Sequence, residues 1–189
     1  MKARERSYPD AMHDWWQPVL NRLNGLPADV AAAELHNCCG SRTWTREVAA
    51  GRPYADRDAL VAAADAASKG LTWDDVTEAL AAHPRIGERA EGADREAAWS
   101  RTEQSGAQSS DVATQAGLAE GNREYERRFG HVFLIRAAGR PGEEMLAALQ
   151  ERLGNDEATE RAVVADQLRQ IARFRLDQLL GATAEAMQQ

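Results

Sequence analysis

The chain has 189 residues, of which 43% are hydrophobic and 28% charged, as expected for one globular domain with its own core. Its formal net charge of −7 argues against a nucleic-acid-binding surface, because such surfaces are normally rich in Lys and Arg. No apolar run approaches the ~20 residues that span a bilayer, and the N-terminal stretch has no apolar signal-peptide core. We therefore expect a cytoplasmic protein whose partners include neither nucleic acid nor a membrane.

The first half of the chain is predicted to be a run of helices. Apolar residues recur at helical spacing from Asp10 to Leu23, and Pro27 suits the first turn of a second helix that ends near Gly40. Three residues typical of helix N-caps precede further periodic stretches, at Ser41, Asp56 and Thr72. Thr72 and Asp75 have the spacing of a capping box.

Cys38 and Cys39 are the only cysteines, and their adjacency favours two reduced thiols over a structural disulfide. His36 lies close enough in sequence to raise the question of a metal site. No fourth ligand follows at a spacing typical of zinc, so the segment is better interpreted as a helix end before Gly40. We expect no metal.

The second half continues the helical pattern. A helix is expected from about Arg89 to Gln104, and Asp111 is a candidate N-cap for a long helix that ends before Gly130. Residues 132–135 are the only strand-like run, and one short run cannot form a sheet by itself. Two more helices complete an all-α, single-domain bundle of about eight or nine helices, with residues 1–182 as the domain and 183–189 as a flexible tail.

The most informative motif is His83-Pro84-Arg85-Ile86-Gly87-Glu88. Val76, Leu80 and His83 fall on one helical stripe, which places the imidazole at the rim of a core. Pro84 disfavours a helix that continues through His83. The pattern is typical of either an acid/base group or an ordinary histidine at a helix end.

Other polar residues interrupt apolar faces. Ser100, Glu103 and Gln104 share one face of a predicted helix, where they either face solvent or contribute to a site. Asn122 interrupts an apolar stripe of the long helix. On the last helix Arg175 lies within a hydrophobic stripe, whereas Arg173 lies on a polar side. Together these residues supply an acid/base group, hydrogen-bonding partners and an anion anchor for a small, nitrogen-rich, anionic substrate.

Motifs along nearly the whole chain resemble the 2-oxo-4-hydroxy-4-carboxy-5-ureidoimidazoline (OHCU) decarboxylase family of uric acid degradation. The His83–Gly87 motif followed by Ser100-x-x-Glu103-Gln104 is specific for that family. The other matching pieces, each weaker, are Leu23–Pro27, Cys38–Arg42, Trp44, Arg52–Tyr54, Asn122-x-x-Tyr125-x-x-x-Phe129-Gly130, Phe133–Arg140, Arg152–Asn155 with Glu160, and Ile171–Leu176.

The resemblance implies an all-helical homodimer that needs no metal or organic cofactor and converts OHCU to (S)-allantoin and carbon dioxide. It implies His83 as the acid/base residue, with Glu103 also at the catalytic centre. Substrate-binding residues would be Pro84, Ser100, Gln104, Ile135 through its backbone, and an arginine of the last helix. Because Arg175 lies within the hydrophobic stripe and Arg173 does not, we favour Arg175 for that arginine.

Two alternatives stay open at this point. One is a non-catalytic helical protein whose polar face binds a ligand or a partner. The other is a decarboxylase of a related ureido or imidazoline acid.

Overall fold

A computed structural model of the chain describes residues 16–87, 95–108 and 110–186. Within these ranges there are ten helices and no β-strand. They are α1 (Gln17–Gly25), α2 (Ala28–Cys39), α3 (Arg42–Ala50), α4 (Arg57–Lys69), α5 (Trp73–Leu80), α6 (Arg95–Glu103), α7 (Ser105–Gln108), α8 (Val112–Phe129), α9 (Gly142–Arg152) and α10 (Glu157–Ala186). The all-α class is confirmed. The helix beyond the predicted eight or nine is the one-turn α7, which lies between the predicted end of the sixth helix at Gln104 and the predicted cap at Asp111.

Local capping residues explain where many helices begin. The side chains of Ser41, Asp56, Thr72 and Asp111 each accept a hydrogen bond from the backbone amide three residues later. The Thr72 amide donates in turn to the Asp75 carboxylate, which completes the predicted capping box. All four predicted caps are therefore confirmed.

Several predicted boundaries differ from the observed ones or fall outside the described residues. The described part of the first helix begins at Gln17, so its predicted start at Asp10 lies outside the described residues. The same holds for the start of the sixth helix at Arg89 and for Glu88 of the motif. The last helix continues to Ala186, past the predicted boundary at residue 182. No described helix is long and apolar enough to cross a membrane.

Buried apolar side chains form two clusters. In the first, α10 packs against α1, α2, α4 and α5. Both Cys38 and Cys39 are buried thiols within it. The second cluster lies where α8 packs against α9.

The strand-like run separates the two clusters. Residues 132–137 form neither helix nor strand in the described part of the chain. Leu134 belongs to the first cluster, whereas Phe133 and Ile135 belong to the second. This alternation is typical of an extended chain, whose successive side chains point to opposite sides, and it lets one short segment contribute to both cores.

A buried ionic network holds this extended segment. Arg152 donates from Nη1 to the Leu134 carbonyl (2.7 Å) and from Nε to Glu160 Oε1 (2.9 Å). Glu160 also accepts from the Tyr125 hydroxyl and from Asn155 Nδ2 (2.8 Å). Arg152 is 7% exposed and Glu160 is fully buried. Each charge is therefore out of water but satisfied by several partners.

Removal of the arginine should destabilise the fold strongly. Arg152→Met leaves the Glu160 carboxylate buried without its cation, so we expect the free energy of unfolding to fall by about 3–5 kcal/mol. Arg123→Met is the matched control. Arg123 pairs with Glu120 on the surface of α8, where both side chains are about two-thirds exposed, and we expect a change of at most about 0.5 kcal/mol. Urea denaturation of the three proteins measures both values, and equal effects would contradict the structural role given to Arg152.

Candidate active site

Five polar residues predicted from sequence to form the site are all buried. His83, Ser100, Glu103, Gln104 and Arg175 have exposures of 8%, 3%, 8%, 6% and 1%. His83 follows α5, Ser100 and Glu103 lie in α6 with Gln104 directly after it, and Arg175 lies in α10. The alternative in which the α6 residues face solvent is therefore wrong.

The centre of the site is an ion pair between α6 and α10. Arg175 donates from Nε to Glu103 Oε1 (2.9 Å) and from Nη2 to Glu103 Oε2 (3.0 Å). Nη2 also donates to Ser100 Oγ (3.0 Å). This two-point geometry fixes the plane of the guanidinium as well as its position. The arrangement places a rigid, oriented cation beside two polar groups of α6.

His83 follows α5 by one turn. Val76 and Leu80 are buried on the predicted stripe, and the His83 amide donates to the Leu80 carbonyl (3.0 Å) before Pro84 ends the helical path. Its ring Nδ1 lies 2.9 Å from the Ala79 carbonyl. Because a carbonyl only accepts, Nδ1 carries the hydrogen and Nε2 of the neutral ring carries the lone pair.

The charge state of His83 follows from its surroundings. Burial, and secondly the positive charge of Arg175, lower the pKa of His83 to about 4, against the opposing effect of the Ala79 hydrogen bond. Nε2 is buried and has no hydrogen-bond partner among the described residues. The ring is therefore a neutral base at pH 7 with its accepting nitrogen available.

Gln104 contacts the turn that follows His83. Its Oε1 accepts a hydrogen bond from the Gly87 amide (3.1 Å). Gly87 has φ of +88°, a left-handed conformation that glycine adopts without a Cβ penalty. Pro84 is half-buried between His83 and this turn.

The other predicted residues lie in two different places. Ile135 is 4% exposed and shares the second apolar cluster with Ile86 of the motif. Arg173 has a side chain 51% exposed and lies 3.7 Å from Asp65. Among the two arginines, the structure places Arg175 with Ser100 and Glu103 and leaves Arg173 on the outer side of α10.

Among the described residues Glu103 bonds to Arg175 and not to His83. The catalytic role that the resemblance implies for Glu103 stays a prediction. The residues implied by the resemblance do not include Asn122, which is 2% exposed and donates to the Ile86 carbonyl (2.8 Å). The sequence feature that marks Asn122 is its position within an otherwise apolar stripe of the long helix.

The chain is similar in sequence to proteins of uric acid degradation. A family model for OHCU decarboxylase matches residues 24–177. The uric acid degradation bifunctional protein TTL of Arabidopsis thaliana is 30% identical over 165 residues, which cover 86% of this chain and 51% of that protein. The 2-oxo-4-hydroxy-4-carboxy-5-ureidoimidazoline decarboxylase of Haloferax volcanii is 29% identical over 167 residues, which cover 87% of this chain and 96% of that protein.

Two solved structures are similar to the chain in fold. A crystal structure of OHCU decarboxylase in the presence of (S)-allantoin is 28% identical, with a TM-score of 0.66, and covers 78% of this chain and 96% of that one. A crystal structure of (S)-allantoin synthase is 22% identical and shares the fold, with a TM-score of 0.62 over 85% of this chain and 53% of that one. The chain thus spans about half the length of the plant relative and of the synthase. The chain belongs to the OHCU decarboxylase family.

Proposed function

We propose that this chain catalyses the decarboxylation of OHCU to (S)-allantoin and carbon dioxide in uric acid degradation, without a cofactor and with His83 as the proton-transfer residue. Family membership supports the reaction. The observation that carries the residue assignment is the unpartnered, buried Nε2 of a neutral His83 beside the Glu103–Arg175 pair.

The reaction consists of one carbon–carbon cleavage and a proton rearrangement. The bond to the carboxylate breaks, and its electron pair forms a ring C=C bond while the conjugated C=N bond delivers its own pair to nitrogen, which takes a proton. The hydroxyl then loses its proton and becomes a carbonyl. The electron pair of the C=C bond takes up a proton at the ureido-bearing carbon, and delivery to one face of that carbon gives a single enantiomer.

His83 has the properties that the second stage needs. Its Nε2 lone pair accepts the hydroxyl proton, while the Nδ1 hydrogen bond to Ala79 holds the ring plane. The imidazolium that forms is more acidic than an ordinary imidazolium, because burial and the charge of Arg175 disfavour it. It therefore gives the proton readily to carbon, and His83 acts first as base and then as acid.

The remaining residues bind and orient the substrate. Arg175, held by Glu103 and Ser100, contacts the substrate where negative charge develops, and its fixed orientation avoids reorganisation during the reaction. Gln104 donates to the ureido group. Pro84 and the backbone near Ile135 complete the wall of the substrate-binding site.

Two further statements stay predictions. The homodimer rests on the resemblance alone, and the cytoplasmic location rests on the sequence pattern alone. Analytical ultracentrifugation decides the first, since a dimer has twice the 20.7 kDa mass of the chain.

The reaction and the role of His83 are tested together. Purified chain mixed with freshly generated OHCU should produce optically active allantoin faster than the spontaneous decay. His83→Ala should lower kcat by about 10²–10⁴-fold, the usual contribution of a general acid–base group. His36→Ala, a half-buried histidine outside the site, is the control and should keep full turnover. Stereoselective turnover by a folded His83→Ala protein at the rate of the parent would exclude the assignment.

The pKa of His83 predicts an unusual pH profile. The neutral ring is the active form, so activity is lost as the pH falls through the pKa of about 4. We therefore expect kcat/KM to stay level from pH 7 to about pH 5 and to fall tenfold per pH unit below about 4. Circular dichroism at each pH verifies that the protein is folded. A midpoint near the ordinary histidine pKa of about 6.5 would contradict this environment for His83.

The two arginines of α10 give a matched comparison. Arg175→Ala removes the buried cation of the site, and we expect a loss in kcat/KM of at least about 100-fold, the size of one preorganised charged contact. Arg173→Ala removes a half-exposed cation and should cost less than about threefold. Steady-state kinetics of both variants provide the measurement, and equal mild losses would mean that the choice of Arg175 over Arg173 is wrong.

A further inference from the structure

The peptide group between Ile86 and Gly87 is held from both sides by side-chain amides. Asn122 Nδ2 donates to the Ile86 carbonyl (2.8 Å), and the Gly87 amide donates to Gln104 Oε1 (3.1 Å). These are the two polar groups of a single peptide plane. A continuous chain of hydrogen bonds therefore runs from Asn122 on α8 to Gln104 at the end of α6.

This chain determines how Gln104 is oriented. A side-chain amide has one accepting and one donating end, and the backbone N–H of Gly87 takes the accepting Oε1. The Nε2 end of Gln104 then faces away from Gly87 as a donor. Rotation of the Ile86–Gly87 peptide would remove the partner that sets this orientation.

Asn122 is costly as a purely structural residue. It is 2% exposed and lies in a helix between the buried apolar residues Leu118 and Tyr125. Its Oδ1 is buried and has no hydrogen-bond partner among the described residues. A half-satisfied buried amide stabilises a fold less than an apolar side chain of the same shape. Among the residues that the structure describes, the Asn122 side chain makes its one hydrogen bond to the Ile86 carbonyl.

We propose that Asn122 is a positioning residue for OHCU binding, acting through the Ile86–Gly87 peptide to orient the Gln104 amide toward the substrate. The inference rests on the proposed function. It assigns Asn122 no contact with reacting atoms. Its effect belongs to substrate binding, and therefore to KM, whereas proton transfer by His83 sets kcat.

A double-mutant cycle tests this route of action. Asn122→Leu keeps the size of the side chain but removes the donor to Ile86. Gln104→Leu removes the side-chain amide that Asn122 is proposed to orient. We expect Asn122→Leu to raise KM for OHCU about tenfold, with kcat changed less than threefold. In the Gln104→Leu background the same substitution should leave KM unchanged, because no amide remains to be positioned.

The outcomes separate the possible failures. An equal rise in KM in both backgrounds, or no rise in either, would overturn the inference. A parent protein that does not turn over OHCU would instead refute the proposed function. Arg123→Leu, at the neighbouring exposed position of α8, is the control for the helix and should leave KM unchanged. If Asn122→Leu melts below the assay temperature, Asn122→Ser, which is too short to reach Ile86, enters the same cycle with the same expectations.

Discussion

The buried ion pair between Glu103 and Arg175 is the interaction on which the rest of the site depends. Two charges at 8% and 1% exposure carry a large desolvation cost, which the two-point geometry and the bond to Ser100 offset. The pair joins residues 72 positions apart in sequence and so connects α6 to α10. A hydrophobic pair of equal volume would join these helices as well. The ionic pair additionally places an oriented positive charge next to His83.

That charge and the burial of the ring decide the chemistry available to His83. Both disfavour imidazolium, with burial as the larger cause, so the base is neutral at pH 7 and its conjugate acid is more acidic than an ordinary imidazolium. In the proposed reaction the neutral ring first accepts a proton from oxygen, and the acidic imidazolium then gives that proton to carbon. The hydrogen bond from Nδ1 to Ala79 adds the third requirement, because it leaves Nε2 as the only accepting nitrogen.

The sequence predicts what depends on local chemistry and misses what depends on distant partners. The caps at Ser41, Asp56 and Thr72 were predictable because each bond spans three residues. The burial of Arg175 followed from a helical stripe. No periodicity pairs it with Glu103 on another helix, and the same pattern left Glu103 free to face solvent. The bond between Arg152 and Glu160 was also not predicted from sequence. It stabilises residues 132–137, and the position of that segment between two cores is known only from the structure.

Glu103 and Gln104 are adjacent in sequence, yet they serve two different partners. Neighbouring residues at a helix end point about 100° apart, so the same turn of α6 sends one side chain to Arg175 on α10 and the other to Gly87 after His83. The end of α6 therefore fixes the distance between Arg175 and His83, although no hydrogen bond among the described residues joins these two side chains. A shift of this helix end would move Glu103 and Gln104, the residues proposed to orient the substrate, together rather than one at a time. For a reaction that must deliver a proton to one face of a ring, that coupling keeps the face constant.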